Sequence, residues 1–303
     1  MSIIDSIILG IVEGLTEYLP VSSTGHLILT QRMLGIGQGE VADAFAICIQ
    51  AGAIVAVLGL YYRRVLSMFQ GLRGRDPGGL RMALCILTAF FPAAILGKLS
   101  EEWIDAHLMR LWPVTAAWLI GGVAILAVEW FRPSRKSAGG GLGLESLTPK
   151  AALIIGLIQC LAMWPGTSRS LVTIVGGLLV GLNLAAAVEF SFLLGLLTLT
   201  AATAYKGLKH GSEMVHDYGL LTIFAGFLAA WISAVVAVKW MVGFLQRRGF
   251  AVFGYYRIAL AWVVGALLIL GKLQDDNPSD SAPKPVPAPA AADAMAEPAR
   301  QAS

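Results

Sequence analysis

Long apolar stretches separated by short polar segments run along most of the chain. A membrane-crossing helix needs about 20 apolar residues, and stretches of about this length lie at 42–62, 82–99, 112–130, 184–204, 219–242 and 253–271. Four shorter apolar pieces occur in two pairs, each divided by a polar turn. Such pairs are typical of re-entrant helices, whose turn needs surrounding protein to satisfy its backbone. The pattern predicts an all-α polytopic membrane protein with six transmembrane helices and two re-entrant helix–loop–helix pairs.

The two re-entrant pairs divide the chain into similar halves. The first pair covers 3–19 and 26–34, and the second covers 151–164 and 171–183. Three spans follow each pair, and an odd number of crossings places the halves in opposite orientations, which predicts an inverted-topology repeat. The expected divisions are a first repeat at 1–130, a cytoplasmic linker loop at 131–150, a second repeat at 151–271 and a disordered Pro/Ala-rich tail at 272–303.

Basic residues gather in three segments between the spans, at 63–81, 131–150 and 245–257, and a further predicted loop at 101–105 is acidic. Cytoplasmic loops carry an excess of Lys and Arg, and placing all three segments in the cytoplasm makes every span alternate consistently. The first turn then enters the membrane from outside and the second from the cytoplasm. We therefore expect the two turns to meet near the midplane, where inverted repeats place their sites.

Composition supports the membrane class and excludes others. Hydrophobic residues make up 57% of the chain and charged residues 14%, unlike an ordinary soluble domain. A net charge of +3 is too small to indicate nucleic acid as a partner. The three cysteines lie in apolar stretches without metal-ligand spacing, so we expect reduced thiols. The N-terminal stretch has no basic residue before Arg32, which argues against a signal peptide.

Two acidic residues lie inside the first short apolar piece. Glu13 and Glu17 are four residues apart, so a helix places both carboxylates on one face. Carboxylates in a membrane are costly, and like charges repel unless a cation or a shared proton lies between them. The spacing indicates a cation site. The alternative is a surface helix with both carboxylates solvated.

A polar turn follows these carboxylates directly, because Pro20 ends the helix. Its polar side chains are those of Ser22, Ser23, Thr24 and His26. The turn opens a second helix, whose first N–H groups favour an anion. Carboxylates, hydroxyls and an imidazole are therefore expected around one small volume.

The second turn, Pro165-Gly-Thr-Ser-Arg-Ser170, contains the one cation of the stretch 151–188. The planar fork of Arg169 suits bidentate contact with phosphate oxygens. Gly166 allows close backbone approach, and hydroxyl donors come from Thr167, Ser168 and Ser170. The alternatives are a snorkelling arginine or a structural partner for Glu189. Gln50, Gln159 and Ser191 are further polar residues in apolar stretches, and each either lines the site or bonds between helices.

The two turns carry a family resemblance. Glu-Gly-Leu-Thr-Glu-Tyr-Leu-Pro-Val-Ser-Ser-Thr-Gly-His at 13–26 and Pro-Gly-Thr-Ser-Arg-Ser at 165–170 resemble the signature motifs of the undecaprenyl-diphosphate phosphatase family of the bacitracin-resistance protein type. The resemblance runs from about residue 5 to residue 271. Leu171 and the pair Gly195-Leu196 depart from the family pattern without removing a candidate catalytic group.

The resemblance implies a multi-pass enzyme of the bacterial inner membrane, with its site open to the periplasm. The implied reaction hydrolyses undecaprenyl diphosphate to undecaprenyl phosphate and inorganic phosphate, which recycles the carrier lipid for peptidoglycan synthesis and confers bacitracin resistance. The implied cofactor is a divalent cation, Mg²⁺ or Ca²⁺. The expected partners are the polyprenyl diphosphate and membrane lipid, with no nucleic acid, and a homodimer is left open.

On this resemblance, Glu13 and Glu17 hold the metal and Arg169 holds phosphoryl oxygens. Ser23 is the nucleophile, with water as the alternative, and His26 is the general base or acid. Glu17, Ser23, His26 and Arg169 form the expected catalytic set. The expected substrate-binding residues are Ser22, Thr24, Gly166, Thr167, Ser168 and Ser170. A polyprenyl-phosphate transporter or flippase of the same architecture is the alternative function, and a lipid-binding scaffold is a further one.

Overall fold

The structure, a computed structural model, describes residues 1–36, 40–131 and 140–275. These residues form eleven α-helices and two short 3₁₀ turns. The helices are α1 Ile3–Thr16, α2 Ser23–Met33, α3 Glu40–Leu60, α4 Tyr62–Leu72, α5 Pro77–His107, α6 Leu111–Phe131, α7 Pro149–Gln159, α8 Arg169–Leu179, α9 Leu184–Tyr218, α10 Leu220–Arg248 and α11 Ala251–Ile269.

The apolar helices confirm the prediction of an all-α polytopic membrane protein. Within the described residues, α5, α6, α9, α10 and α11 are each long and apolar enough to cross a membrane. The sixth predicted span corresponds to α3, which passes the same test together with α4. The remaining helices α1, α2, α7 and α8 have 11 to 14 residues and form the two short pairs around the polar turns.

Three segments expected to be loops are partly helical. The basic segment 63–81 contains α4, which meets α3 at an angle of 80°. The exposed apolar side chains of α4 recur at helical spacing, at Tyr62, Leu66, Phe69 and Leu72, as in a helix lying in a membrane interface.

The other two segments expected to be loops, 101–105 and 245–257, lie at the ends of long helices. The acidic segment 101–105 belongs to α5. The basic segment 245–257 is mostly helix, because α10 continues to Arg248 and α11 begins at Ala251. Residues 132–139 of the predicted linker and residues 276–303, most of the predicted tail, lie outside the described residues.

The first helix of each re-entrant pair packs against the middle span of the other half. Helix α1 runs parallel to α10, since Ser6 Oγ donates to the Thr222 carbonyl at 2.6 Å and Ser233 Oγ donates to the Gly10 carbonyl at 3.4 Å. Helix α7 lies parallel to α5 in the same way. There Arg81 donates to the Leu147 carbonyl just before α7, and Gln159 donates to the Ala89 carbonyl. This exchange joins the halves through their short helices.

The remaining spans pair with their counterparts in antiparallel fashion. Thr203, late in α9, donates to the Ile47 carbonyl early in α3, whereas Arg64, just beyond α3, binds Glu189 early in α9. Helices α6 and α11 also pack against each other in antiparallel order. Antiparallel counterparts are what an inverted repeat requires.

Candidate active site

The two polar turns have the same backbone geometry. Ser22 has φ 74° and ψ 101°, and Ser168 has φ 77° and ψ 112°. Among the described residues, these serines are the only non-glycine positions with positive φ. Each serine caps a helix, because its Oγ accepts from the backbone N–H three residues later, at Gly25 and Leu171. A non-glycine residue in such a conformation costs about 1–3 kcal/mol and is typical of functional sites.

Ser23 and Arg169, which directly follow these caps, both donate hydrogen bonds to the carboxylate of Glu17. Ser23 Oγ donates to Glu17 Oε2 at 2.5 Å, and Arg169 Nη2 donates to Glu17 Oε1 at 2.8 Å. Gln50 Nε2, from α3, donates to the same Oε2 at 3.1 Å. Glu17 is 6% exposed, so this is a buried ion pair with two further hydrogen bonds. The structure thus brings Ser23, Glu17 and Arg169 together and places Gln50 in the site.

Glu13 lies one turn before Glu17 and is fully buried. The backbone N–H of Glu17 donates to the Glu13 carbonyl at 2.9 Å, so the helical spacing holds at both positions. Neither carboxylate oxygen of Glu13 has a hydrogen-bond partner among the described residues. Burying an unpaired carboxylate is costly, so the local chemistry favours a cation beside Glu13. The described residues contain no group of three or more His, Cys, Asp or Glu side chains arranged for metal binding.

Arg169 is held so that one of its donors stays unused. Its Nη1 donates to the Ser191 carbonyl at 3.0 Å, and its guanidinium lies 5.5 Å from the centre of the Tyr18 ring. Its Nε is buried without a partner among the described residues. Gly195 packs so closely on this guanidinium that any larger residue would overlap it. Glu189 pairs with Arg64 instead, so the ion pair considered as an alternative for Arg169 is not the one formed.

His26 lies on the same turn but does not contact Ser23. Its Nδ1 lies 2.7 Å from the Ser22 carbonyl oxygen, and its Nε2 lies 2.7 Å from Tyr256 Oη. The structure therefore describes no hydrogen bond between His26 and the Ser23 hydroxyl, and the role of His26 as general base or acid stays a prediction. The Ser23 hydroxyl contacts the Glu17 carboxylate instead.

The other expected substrate-binding residues divide into two groups. Ser168 and Ser170 lie with their hydroxyl oxygens 3.0 Å apart, and Ser170 Oγ donates to the Leu19 carbonyl at 2.9 Å, which joins the two turns. Gly166 adopts φ 95° in the second turn. Thr24 is exposed and Thr167 is half-buried. No described contact connects either threonine hydroxyl to the carboxylates, and their substrate contacts stay predictions.

A second arginine, Arg257 of α11, was not predicted to be part of the site. It is fully buried and donates to the carbonyls of Trp118, Pro20, Ala117 and Gly166. These carbonyls belong to α6 and to both turns, so one guanidinium fixes the turns relative to each other. The buried residues of α11 are Phe253, Gly254, Arg257, Ala261, Val264 and Leu268. Arg257 occupies this buried stripe at helical spacing, and that was the available sequence signal.

Comparisons with known proteins agree on one family. The family described as bacitracin resistance protein BacA matches residues 6–263. The undecaprenyl-diphosphatase of Sorangium cellulosum (strain So ce56) is 44% identical over 261 residues, which are 86% of this chain and 84% of that protein. The protein named undecaprenyl-diphosphatase 2 of Rhodospirillum rubrum is 44% identical over 264 residues, 86% and 93% of the two chains. The undecaprenyl-diphosphatase of Rhodopseudomonas palustris (strain BisA53) is 40% identical over 272 residues, 89% and 98% of the two chains.

Proposed function

We propose a catalytic mechanism from the premise that the chain belongs to the bacitracin resistance protein BacA family and acts as an undecaprenyl-diphosphatase. Its reaction hydrolyses undecaprenyl diphosphate to undecaprenyl phosphate and inorganic phosphate. This recycles the carrier lipid for cell-wall synthesis and confers bacitracin resistance. The observation that carries the mechanism is the convergence of Ser23 and Arg169, from the two halves, on the buried Glu17.

Arg169 binds the terminal phosphoryl group of the substrate. Its Nε is buried and has no hydrogen-bond partner among the described residues, which leaves this donor for a phosphate oxygen in the complex. The contacts with Glu17 and Ser191 hold the guanidinium plane in place before the substrate arrives. Phosphoryl transfer depends mainly on positioning and charge stabilisation, which such a preorganised fork supplies.

Ser23 attacks the terminal phosphorus. A bond forms between Ser23 Oγ and phosphorus, the bond from phosphorus to the bridging oxygen breaks, and the hydroxyl proton passes to Glu17 Oε2. Undecaprenyl phosphate leaves with the electron pair of the broken bond. Water then attacks the phosphorus of the phosphoserine, the bond from Ser23 Oγ to phosphorus breaks, and inorganic phosphate leaves. The proton of the water is taken up at His26 Nε2, and Ser23 Oγ recovers its proton from Glu17. Direct attack by water on the substrate is the alternative.

Glu13 and Glu17 fit a divalent cation, Mg²⁺ or Ca²⁺. Both oxygens of Glu13 lack hydrogen-bond partners in the described part of the chain, and Glu17 supplies a second carboxylate one helical turn away. Mg²⁺ is commonly held by one or two carboxylates together with substrate phosphates, so a third protein ligand is not required. When bound, the cation neutralises diphosphate charge as a Lewis acid.

The apolar spans place the enzyme in a membrane as a multi-pass protein. We propose that this is the bacterial inner membrane and that the site opens to the periplasm, as the basic segments 63–81 and 131–150 suggest. The polyprenyl tail then lies between helices, in contact with lipid. Transport or flipping without hydrolysis is disfavoured, because it gives no role to a serine hydroxyl bonded to a buried carboxylate.

The test measures phosphate release from undecaprenyl diphosphate by the purified full-length protein. We expect Glu13→Gln to lower kcat/KM by about 100-fold or more, because loss of a metal ligand removes several kcal/mol of transition-state stabilisation. Chelation should abolish activity, and Mg²⁺ or Ca²⁺ should restore it. Glu102→Gln is the matched control, since Glu102 is exposed at the far end of α5. An active Glu13→Gln protein would refute the metal assignment, and a fully active Ser23→Ala protein would favour direct attack by water.

A further inference from the structure

His26 lies in an aromatic slot that neither signature turn supplies. The ring of Tyr256 stacks on the imidazole, with centroids 5.8 Å apart and planes 8° from parallel. Trp118 of α6 packs edge-on against the imidazole at 5.3 Å. Both aromatic residues come from spans distant in sequence, so the orientation of His26 is set from outside its own turn.

The hydrogen bonds of the slot fix which ring nitrogen exchanges a proton. A carbonyl oxygen only accepts, so the contact with the Ser22 carbonyl places a proton on Nδ1. In the neutral ring, Nε2 is then the acceptor, and the Tyr256 hydroxyl donates to it across 2.7 Å. Any proton that His26 takes up during the reaction goes to the nitrogen that Tyr256 contacts.

The phenolic hydroxyl suits both protonation states of His26. It donates to Nε2 while the imidazole is neutral, and its oxygen accepts from Nε2–H after the imidazole is protonated. A carbonyl only accepts and an ammonium only donates, so neither preserves the contact through a catalytic cycle. Tyr256 is 45% exposed, so its hydroxyl is also reachable from outside the protein core.

The position of Tyr256 is fixed by its neighbour in α11. Arg257 donates from Nη1 to the Pro20 carbonyl at 3.2 Å, two residues before Ser22. It also donates to the Trp118 carbonyl at 3.3 Å. The helix that carries Tyr256 is therefore bound to the turn that carries His26 and to the residue on the other side of the imidazole.

We propose that Tyr256 holds His26 in position in the hydrolytic reaction and passes the proton of the attacking water to it. Its hydroxyl holds the Nδ1–H tautomer in place, and its ring holds the imidazole plane. This inference rests on the proposed function of His26 as the group that takes the proton of the attacking water. Tyr256 Oη contacts the one lone pair of Nε2. The phenolic O–H therefore gives its proton to Nε2 as Oη takes the proton of the attacking water.

The test compares Tyr256→Phe with Tyr255→Phe. Phenylalanine keeps the stacked ring and removes only the hydroxyl. Tyr255 is 64% exposed and provides a matched control at the adjacent position. We expect Tyr256→Phe to lower kcat by about 10-fold with little change in KM. This loss is smaller than the whole rate gain of about 10²- to 10⁴-fold that general acid–base catalysis supplies, because His26 itself remains. We expect Tyr255→Phe to match the parent enzyme in kcat, KM and melting temperature.

A double-mutant cycle with His26→Gln separates the outcomes. Tyr256→Phe should have no further effect in the His26→Gln protein, and the limb of the pH–rate profile that depends on His26 should move only in Tyr256→Phe. An equal loss in both backgrounds, or a Tyr256→Phe enzyme equal to Tyr255→Phe, would overturn the role of Tyr256 while leaving that of His26 intact. A fully active His26→Gln enzyme would overturn the proposed role of His26 and this inference with it.

Discussion

The side chain of Arg169 connects both halves of the protein at one point. It begins α8 in the second half, yet its ion-pair partner Glu17 follows α1 in the first half. Only 13% of the Arg169 side chain and 5% of the Glu17 side chain are exposed, so the pair is largely withdrawn from water. Removing one member of such a pair leaves the other as an uncompensated buried charge. Arg169 is therefore both a substrate contact in the proposed mechanism and a structural partner.

Arg169→Lys tests whether activity needs the planar, forked geometry of the guanidinium or only its positive charge. Lysine keeps the charge but cannot contact Glu17, Ser191 and a phosphate oxygen through separate fixed donors. We expect a loss in kcat/KM on the order of 10²-fold, as for removal of one donor that stabilises transition-state charge. Arg169→Ala should lose more activity and also lower the melting temperature. Steady-state kinetics and thermal unfolding of both variants provide the measurement.

Arg75→Lys is the matched control for this substitution, because Arg75 is exposed before α5 and remote from the site in sequence. It should leave both activity and melting temperature unchanged. Full activity of Arg169→Lys would mean that charge alone suffices and that the bidentate role is wrong.

Sequence reasoning placed the residues that share a face or begin a helix, and missed those whose role depends on the tertiary fold. The approach of Ser23 and Arg169 to one carboxylate follows from two turns that meet in an inverted repeat. Tyr256 and Arg257 lie where the predicted basic segment 245–257 overlaps the predicted span 253–271, so the pattern alone does not decide whether their side chains face solvent. Arg257 is satisfied by four backbone carbonyls, which no local pattern reveals.

At the scale of the helix, small residues allow α1 to approach α10 closely. A Cβ at Gly14 would overlap Ser233 Oγ and the Ala230 carbonyl oxygen of α10. Close backbone approach through small residues is a common way for helices to associate in membranes. This contact bears on function because α1 carries Glu13, one residue before Gly14.

Gly14→Val is expected to push α1 away from α10. Overpacking of this kind costs about 1–3 kcal/mol, and we expect a lower melting temperature together with loss of phosphate release. Gly59→Val in α3 is the matched control, because a Cβ at Gly59 meets no atom within 4 Å. A Gly14→Val protein as stable and active as Gly59→Val would show that this packing does not position the carboxylates.

The existence of the long helices was predictable from apolar runs, but their ends were not. Helices α5 and α9 have 31 and 35 residues, and both continue past their apolar stretches into polar sequence. Hydropathy reports which residues meet lipid and does not report where the backbone stops being helical. Helix α4 was missed for a related reason, because its apolar residues occupy one face instead of a continuous run.

At the scale of the whole molecule, the orientation in the membrane is a prediction from charge. Arg75 and Glu102 lie near opposite ends of α5, so a spanning α5 puts them on opposite sides. In a protein whose three cysteines are replaced, we expect Arg75→Cys to react only with membrane-permeant thiol reagents. Glu102→Cys should react with impermeant reagents added to intact cells.

The two cysteine variants are each other's control, because they test the same helix with the same reagents. Labelling of both from the same side would contradict the spanning role of α5. Labelling with the two sides reversed would keep the span but overturn the positive-inside orientation and the periplasmic opening of the site.

The exchange of short helices between the halves sets the order in which the enzyme is completed during its synthesis. Helix α7 emerges from the ribosome after its partner α5, so it can dock as soon as it is made. Helix α1 emerges first, but its partner α10 is among the last elements to be translated. Until then Glu13 and Glu17 belong to a segment that lacks its most extensive packing partner. A chain interrupted before α10 contains both polar turns, but it lacks the helix against which α1 packs.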